Sequence, residues 1–428
     1  MPVIQQAVIS VFPYPILFCS MQNSDYGRYR GPTRPRITQE DWIMLFTNIW
    51  YVAEASDTIK DKPVKVKMLG RDFVLFRDQH GKAVCLSGVC PHRSADLSQG
   101  KCEPDGTIGC PFHAWRFDQT GKCTKIPSNK DPVGEIPEAA RVDSYPTEEK
   151  YGYIWVFLGD DLENAAPILD MPEYTDSEWR HVTHVSTWNC NQHWAKQIDL
   201  DHVHLPIVHG IGFGGDNPVR PPDHTVDRRP DGGFETLIVG KTDITSGKWR
   251  ELRDTRSTVT SKFKFFVAGF TSRGKVAVGG ADAGVYNVFY QFTTPIDEEN
   301  TRMFYTFFRN FMMEPENDIE HLRRNCRNVY QDKSLAEKML PKRAPDVPVY
   351  PQITAELEDK LMGAYWEVLQ RLRKNGWQID RVQLDALDKG GDYRVIPSPA
   401  RRAEDSGKWV FDEIPRIAST GKSQRDVA

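Results

Sequence analysis

Cysteine is scarce in this chain. Eight among 428 residues are too few for a disulfide-stapled scaffold, which excludes the small secreted class. An excess of either charge is also missing. Lys and Arg number 55 against 59 Asp and Glu, a formal net charge of −4, so composition gives no electrostatic case for nucleic acid or an anionic membrane. Long apolar runs are absent too. The stretch Ala7–Cys19 is apolar but short; Pro13 and Pro15 interrupt it, no Lys or Arg precedes it, and no small-x-small cleavage site follows. The expectation is a cytoplasmic protein with neither nucleic-acid nor membrane partners. Residues 1–44 are expected to form a loose or docking arm, with Met21 as a second candidate start. No internal repeat is visible.

What remains is an ordinary globular composition, 39% hydrophobic and 27% charged, long enough for two or three domains. From Leu45 to Phe157 short β runs alternate with turns. Val64–Met68, Phe73–Arg77, Ala83–Ser87, Thr107–Gly109 and Tyr153–Leu158 read as strands, with Gly70, Gly81, Gly121 and Gly152 between them. Ala165–Pro172 reads as a linker. Beyond it the chain is mixed. A helix is expected over Asn191–Val208, then a Gly/Pro-rich loop at His209–Pro222. Strands follow at Phe234–Gly240, Thr258–Ala268, Val285–Thr293 and Arg302–Phe311, and helices at Pro315–Met339 and Ala355–Asn375, the last closed by Gly376. The fold class is therefore α+β, divided into an arm (1–44), a β domain (45–160) and a larger domain with a helical C-terminal extension (161–428).

Two cysteines stand close to histidines, one as Cys-x-His and the other as Cys-x-x-His. Cys90-Pro91-His92 is followed, after seventeen intervening residues, by Cys110-Pro111-Phe112-His113. Two thiolates and two imidazoles suit a structural zinc. They equally suit a Rieske [2Fe–2S] cluster, in which one iron takes both thiolates and the other both imidazoles. Pro91 and Pro111 stiffen the two loops, and Gly109 leaves room for close backbone approach to a cluster. The stretch from Gly109 to Asp118 resembles the second finger of Rieske oxygenases throughout. Respiratory Rieske proteins place disulfide cysteines where this chain has Ala95 and Phe112, so the resemblance is to the oxygenase type. Cys19, Cys85, Cys102, Cys123, Cys190 and Cys326 read as reduced, mostly buried thiols.

Downstream lies Asp201-x-x-His204-x-x-x-x-His209. Alone it is a modest signal, but a cluster in the same chain needs a destination for its electrons. Non-haem iron(II) that activates O₂ takes two His and one carboxylate on one face. The layout resembles Rieske non-haem iron oxygenase catalytic subunits, nearest the phthalate dioxygenase and vanillate O-demethylase branch, over residues 45–340. The resemblance implies an N-terminal Rieske domain on Cys90, His92, Cys110 and His113, and a catalytic domain whose curved antiparallel sheet wraps a long helix (helix-grip, START-like). It implies mononuclear iron on His204, His209 and Asp332, the last from Asp332-Lys333-Ser334-Leu335-Ala336-Glu337, with Asp318 as the alternative. It further implies that Asp201 bridges His204 to a cluster histidine of a neighbouring subunit, in a homotrimer or dimer of trimers.

The same resemblance implies a mono- or dioxygenase that hydroxylates or O- or N-demethylates a small aromatic substrate with O₂. A separate NAD(P)H-dependent reductase, with or without a ferredoxin, would supply the electrons. The chain departs from the family at Lys196-Gln197, where Glu-Asn is common. Gln197 keeps an amide near the iron, whereas Lys196 introduces a cation. A competing set of Asp199, His202 and His209 is open at this stage, as is a non-catalytic Rieske electron carrier with an appended ligand-binding domain. Gly210-x-Gly212-x-x-Gly215 matches a dinucleotide fingerprint only formally, because Asn217-Pro218 and Pro221-Pro222 cannot open a helix. The aromatic runs Phe263–Phe270 and Tyr286–Phe292 suit a substrate wall or plain sheet core.

Overall fold

The computed structural model describes residues 45–211, 219–240, 259–278, 284–343, 359–403 and 408–419. The expectations for the arm at 1–44, Cys19, Gly212 and Gly215 lie outside these residues.

The first eleven strands are short. They are β1 (Ile49–Ala55), β2 (Val64–Met68), β3 (Arg71–Arg77), β4 (Ala83–Ser87), β5 (Lys101–Cys102), β6 (Ile108–Gly109), β7 (Arg116–Phe117), β8 (Cys123–Lys125), β9 (Ser144–Tyr145), β10 (Thr147–Lys150) and β11 (Tyr153–Leu158). They form three antiparallel sheets in the orders β1-β11-β10, β2-β3-β4-β9 and β5-β6-β7-β8. Successive side chains of a strand point to opposite faces, and β11 puts both faces to use. Tyr153, Trp155 and Phe157 join a core with Tyr290, Phe292 and Phe304 of the large sheet. Ile154, Val156 and Leu158 join another core with Phe265, Tyr365 and Leu369. That is why the run Tyr-Ile-Trp-Val-Phe-Leu is apolar throughout rather than alternating.

The second part holds α1 (Pro172–Thr175), β12 (Arg180–Trp188), α2 (Gln192–Leu200), β13 (Asp227–Arg228), β14 (Phe234–Gly240), β15 (Val259–Phe266), β16 (Thr271–Ala277), β17 (Tyr286–Pro295), β18 (Thr301–Arg309), α3 (Asp318–Ala336), α4 (Lys360–Lys374) and α5 (Arg381–Lys389). One antiparallel sheet runs β12-β18-β17-β16-β15-β14-β13. Helix α3 packs on it through a core of Cys326, Val329 and Ala336 with Trp188, Tyr305 and Phe307. This is the α+β arrangement expected.

Several boundaries differ from expectation. The helix expected over Asn191–Val208 stops at Leu200, because the Asp201 carboxylate accepts the Val203 N–H at 2.7 Å and turns the chain. The strand expected to run to Ala268 ends at Phe266, and Gly269, at φ 64°, reverses the chain into β16. Strand β16 carries Arg273, Gly274 and Lys275 and so lacks a β pattern. Its place is secured by pairing on both sides and by buried Arg273, which bonds Tyr290 Oη at 2.8 Å and pairs with Glu173. The linker is packed rather than loose, with Leu169 and Met171 buried. Helix α4 ends as expected, with Gly376 at φ 75°.

The C-terminal segment is bound to the first part by buried charge. Arg401 donates from Nε and Nη2 to the two carboxylate oxygens of Asp143, each at 2.7 Å, and Ser398 Oγ adds a third bond at 2.7 Å. Trp409 lies between Arg141 and Arg401, 4.1 and 4.3 Å from its ring centroid. Removing one partner of a buried pair strands the other charge. Arg401→Ala is therefore expected to cost roughly 3–5 kcal/mol, read as a lowered urea midpoint, whereas Arg228→Ala, in an exposed pair with Glu367, should change it little.

Candidate functional site

The two finger loops have the same backbone. Cys90 N–H donates to Ala95 O at 2.9 Å and Cys90 O accepts from Ser94 N–H at 2.9 Å. At the same offsets, Cys110 N–H donates to Trp115 O at 2.8 Å and Cys110 O accepts from Ala114 N–H at 3.0 Å. Ser94 and Ala114 both take positive φ, 54° and 56°. Each loop thus buries its cysteine and exposes its histidine, and the His92 and His113 rings face each other at 4.7 Å. Trp115 stacks flat on His92 at 4.4 Å, and Phe112 on His113 at 4.0 Å. Interaction between the two thiols holds Cys110 down near 6 and, with burial, pushes Cys90 up.

The spacing separates the two chemistries that suit this donor set. Around one tetrahedral zinc, ligand atoms lie about 3.5–4 Å apart. Among the described residues no three of these four side chains bring ligand atoms within 4.8 Å of one another. A single zinc does not fit them, and a larger two-iron cluster does. At Gly109 a Cβ would meet Glu103 Oε1 at 3.0 Å, so the glycine makes room for the Glu103–Arg116 ion pair (2.8 Å) behind the finger.

The second constellation is split across the fold. After α2, Leu205–His209 forms a single π-type turn, closed by Gly210 at φ 69°. An i→i+5 turn brings residues five apart onto one side, so His204 and His209 point the same way. Their Nε2 atoms lie 3.2 Å apart. Asp332, on α3, places Oδ1 3.0 Å from His209 Nε2 and 3.5 Å from His204 Nε2.

The far side of each ring fixes its tautomer. His204 Nδ1 donates to the Asp201 carbonyl at 2.5 Å, and His209 Nδ1 to Gln331 Oε1 at 2.9 Å. Both Nε2 atoms are therefore bare in the neutral rings. Asp332 Oδ1 is buried and meets no donor hydrogen. Three lone-pair atoms converge, which a divalent cation resolves. Two imidazoles and a carboxylate on one face suit iron(II) and leave the opposite positions open. Burial alone would raise Asp332; the positive charge that pulls the carboxyl below its usual range is one the imidazoles carry only when protonated at Nε2, and in the bare tautomers a divalent cation would take that place.

The other expected residues divide clearly. Asp201 lies at the site, but its carbonyl rather than its carboxylate holds His204; the carboxylate is 3.9 Å away, and burial raises its pKa. Gln197 is half-buried and makes no side-chain hydrogen bond among the described residues. Gln331, which the sequence reading missed, is the amide that touches a ligand histidine; its place directly before Asp332 is the signal it left. Asp318, the alternative carboxylate, is engaged by Arg180 and Arg309 at 2.6 and 2.7 Å. In the competing set, Asp199 pairs with Lys196 at 3.0 Å and His202 faces His224 and Phe263. No strand leads into Gly210, so the dinucleotide fingerprint has no basis.

Residues 49–146 match the family model described as a Rieske [2Fe-2S] domain. The chain is 39% identical over 132 residues to aminopyrrolnitrin oxygenase PrnD of Pseudomonas fluorescens, covering 30% of this chain and 35% of that one. It is 26% identical over 309 residues to the oxygenase component of chloroacetanilide N-alkylformylase from Rhizorhabdus wittichii, covering 69% and 86%. Dicamba monooxygenase shares the fold, with a TM-score of 0.65 at 22% identity over 80% of this chain and 99% of that one. The chain spans 35% and 41% of the length of the first two curated relatives it matches. Its N-terminal part is a Rieske domain, which carries a [2Fe–2S] cluster, and its architecture is that of Rieske oxygenases.

A partner that orients a ligand histidine typically contributes 10–100-fold to metal affinity. Gln331→Ala is expected to weaken Fe(II) binding at the second constellation by about that factor, measured by titration of the iron-depleted protein. The visible spectrum of the cluster should not change, since Gln331 lies on α3, outside the Rieske domain.

Proposed function

We propose that this Rieske-domain chain is the terminal oxygenase component of a Rieske non-haem iron system, with a mononuclear iron on His204, His209 and Asp332. The observation that carries the reading is the convergence of those three bare ligand atoms in one chain with a Rieske domain. An electron carrier has no use for such a site, and a free Rieske ferredoxin needs only ~100 residues, one small domain. In this reading Cys90, His92, Cys110 and His113 hold the cluster, and the chain divides functionally at 1–44, 45–160 and 161–428.

When bound, the cluster delivers single electrons and the iron binds and activates O₂. The protein's own part is orientation. The Asp201 carbonyl and Gln331 keep both imidazoles Nε2-forward, and Asp332 supplies the compensating charge. Cys90 and Cys110 anchor the cluster in the core, while His92 and His113 present its other side to a partner. The Asp201 carboxylate, held at the turn and short of His204 Nδ1, and Gln197 are assigned to the surroundings of the iron.

The reaction is hydroxylation of a small aromatic compound, or hydroxylation of an O- or N-methyl carbon followed by loss of formaldehyde. NAD(P)H electrons arrive through a separate reductase, with or without a ferredoxin. A cytoplasmic homotrimer or dimer of trimers, with the cluster of one subunit against the iron site of the next, completes the assembly.

The test is turnover with an NADH-linked reductase and a panel of aromatic acids, methoxy and N-methyl compounds, following formaldehyde and hydroxylated product. Substrate-dependent product is expected from the wild type and none from Asp332→Ala, whose cluster spectrum should be intact. Product from that variant would sink the ligand assignment. Iron-replete wild type that transfers electrons without forming product would return the electron-carrier reading.

A further inference from the structure

Beside the second constellation stand two imidazoles that the proposed chemistry does not use. His202 lies in the turn after α2, two residues before His204. Its ring is edge-on to Phe263 of β15 at 5.4 Å and to His224 at 6.2 Å. Neither ring nitrogen of His202 has a hydrogen-bond partner among the described residues. His224 is only 7% exposed, and its Nδ1 donates to the Pro222 carbonyl at 3.0 Å. Because a carbonyl oxygen only accepts, Nδ1 carries the proton and Nε2 of the neutral ring is a bare acceptor. That Nε2 is buried without a partner.

An unmade hydrogen bond on a buried nitrogen is costly, and such groups in a folded protein call for an explanation. His224 Nε2 is such a group, and it stands beside His202 and Phe263, next to the second constellation, which points to a molecule that satisfies it. We infer that His202, His224 and Phe263 form the recognition end of the substrate pocket, and that the substrate is an aromatic compound bearing an O–H or N–H donor. The inference rests on the oxygenase reading, which it deepens.

The chemistry follows from the donor count. His224 Nε2 accepts the substrate proton. His202, free at both nitrogens, donates to or accepts from the same substituent. Phe263 meets the ring plane. A carboxylate or ether oxygen would instead face the His224 lone pair and leave it unsatisfied, and sites built to hydrogen-bond a hydroxyl discriminate strongly against analogues that lack it.

The experiment uses iron-replete holoenzyme and two probes differing only in the donor, 4-methylphenol and 4-methylanisole, with Kd measured by equilibrium dialysis. Wild type should bind the phenol roughly tenfold or more tightly than its ether. His224→Phe and His202→Phe should each cut that ratio to about twofold or less, and His224→Gln, which keeps an acceptor, should restore part of it. Equal binding of the two probes by wild type, no binding of the phenol, or a preference that survives both phenylalanine variants overturns the inference. Iron content and cluster spectrum of the same samples judge the oxygenase reading separately, since loss of the second iron would refute that reading whatever the probe ratio.

Discussion

Asp332 Oδ1, His204 Nε2 and His209 Nε2 face one another at 3.0–3.5 Å with no proton between them in the neutral tautomers. Burying such a cluster of lone pairs is unfavourable unless a cation sits among them, so the arrangement must be imposed from outside. Two outer contacts impose it. Asp201 and Gln331 take the Nδ1 protons, and each comes from the same element as a ligand: Asp201 from the turn of His204, Gln331 from the helix position next to Asp332. The centre is thus defined by how α3 docks against the turn after α2. That docking rests in turn on the core of Trp188, Trp194, Tyr305, Cys326 and Val329 beneath them.

The Rieske site depends on none of this. The residues proposed to hold its cluster come from two local loops of identical hydrogen bonding, in a strand cluster with its own core of Phe76, Leu97, Ile108 and Phe117. One centre is local and the other tertiary. Apart from both, β1 and β11 act as a shared wall between the two large cores, to which alternate residues of each belong. A change in β11 would be felt on both sides, while a change in either finger would be confined to the cluster.

This difference sets how much was legible in the sequence. Cys90, His92, Cys110 and His113 could be read from spacing because their geometry is local. Strands β2, β4, β11 and β14 fell where expected, since each carries its own pattern and turns. Strands β12 and β16 did not. β12 is rich in His, Thr and Arg with one strongly buried residue, Trp188, and β16 carries two cations and a glycine, so tertiary pairing alone makes them strands. Asp332 and Asp318 are equivalent as helix carboxylates in sequence. Only the fold shows that Arg180 and Arg309 claim the second. Gln331, whose role depends on a residue 122 positions away, left no signal but adjacency.

Lys196 shows how the fold resolves a local conflict. The sequence places a cation eight residues before His204, where the resembled family favours an acid. Left unpaired, it would oppose a divalent cation nearby. It is fully buried, and burial lowers its pKa against the pull of Asp199. Asp199 Oδ2 lies 3.0 Å away on the same helix, and Ser272 Oγ of β16 accepts from it at 3.1 Å. The charge is therefore cancelled within α2, and the pair ties that helix to the centre of the sheet. It also removes Asp199 from the pool of free carboxylates. The set Asp199, His202 and His209, plausible from spacing, fails because its acid is already neutralising a cation. His202 is left without a metal to bind, which is what makes it available to a substrate.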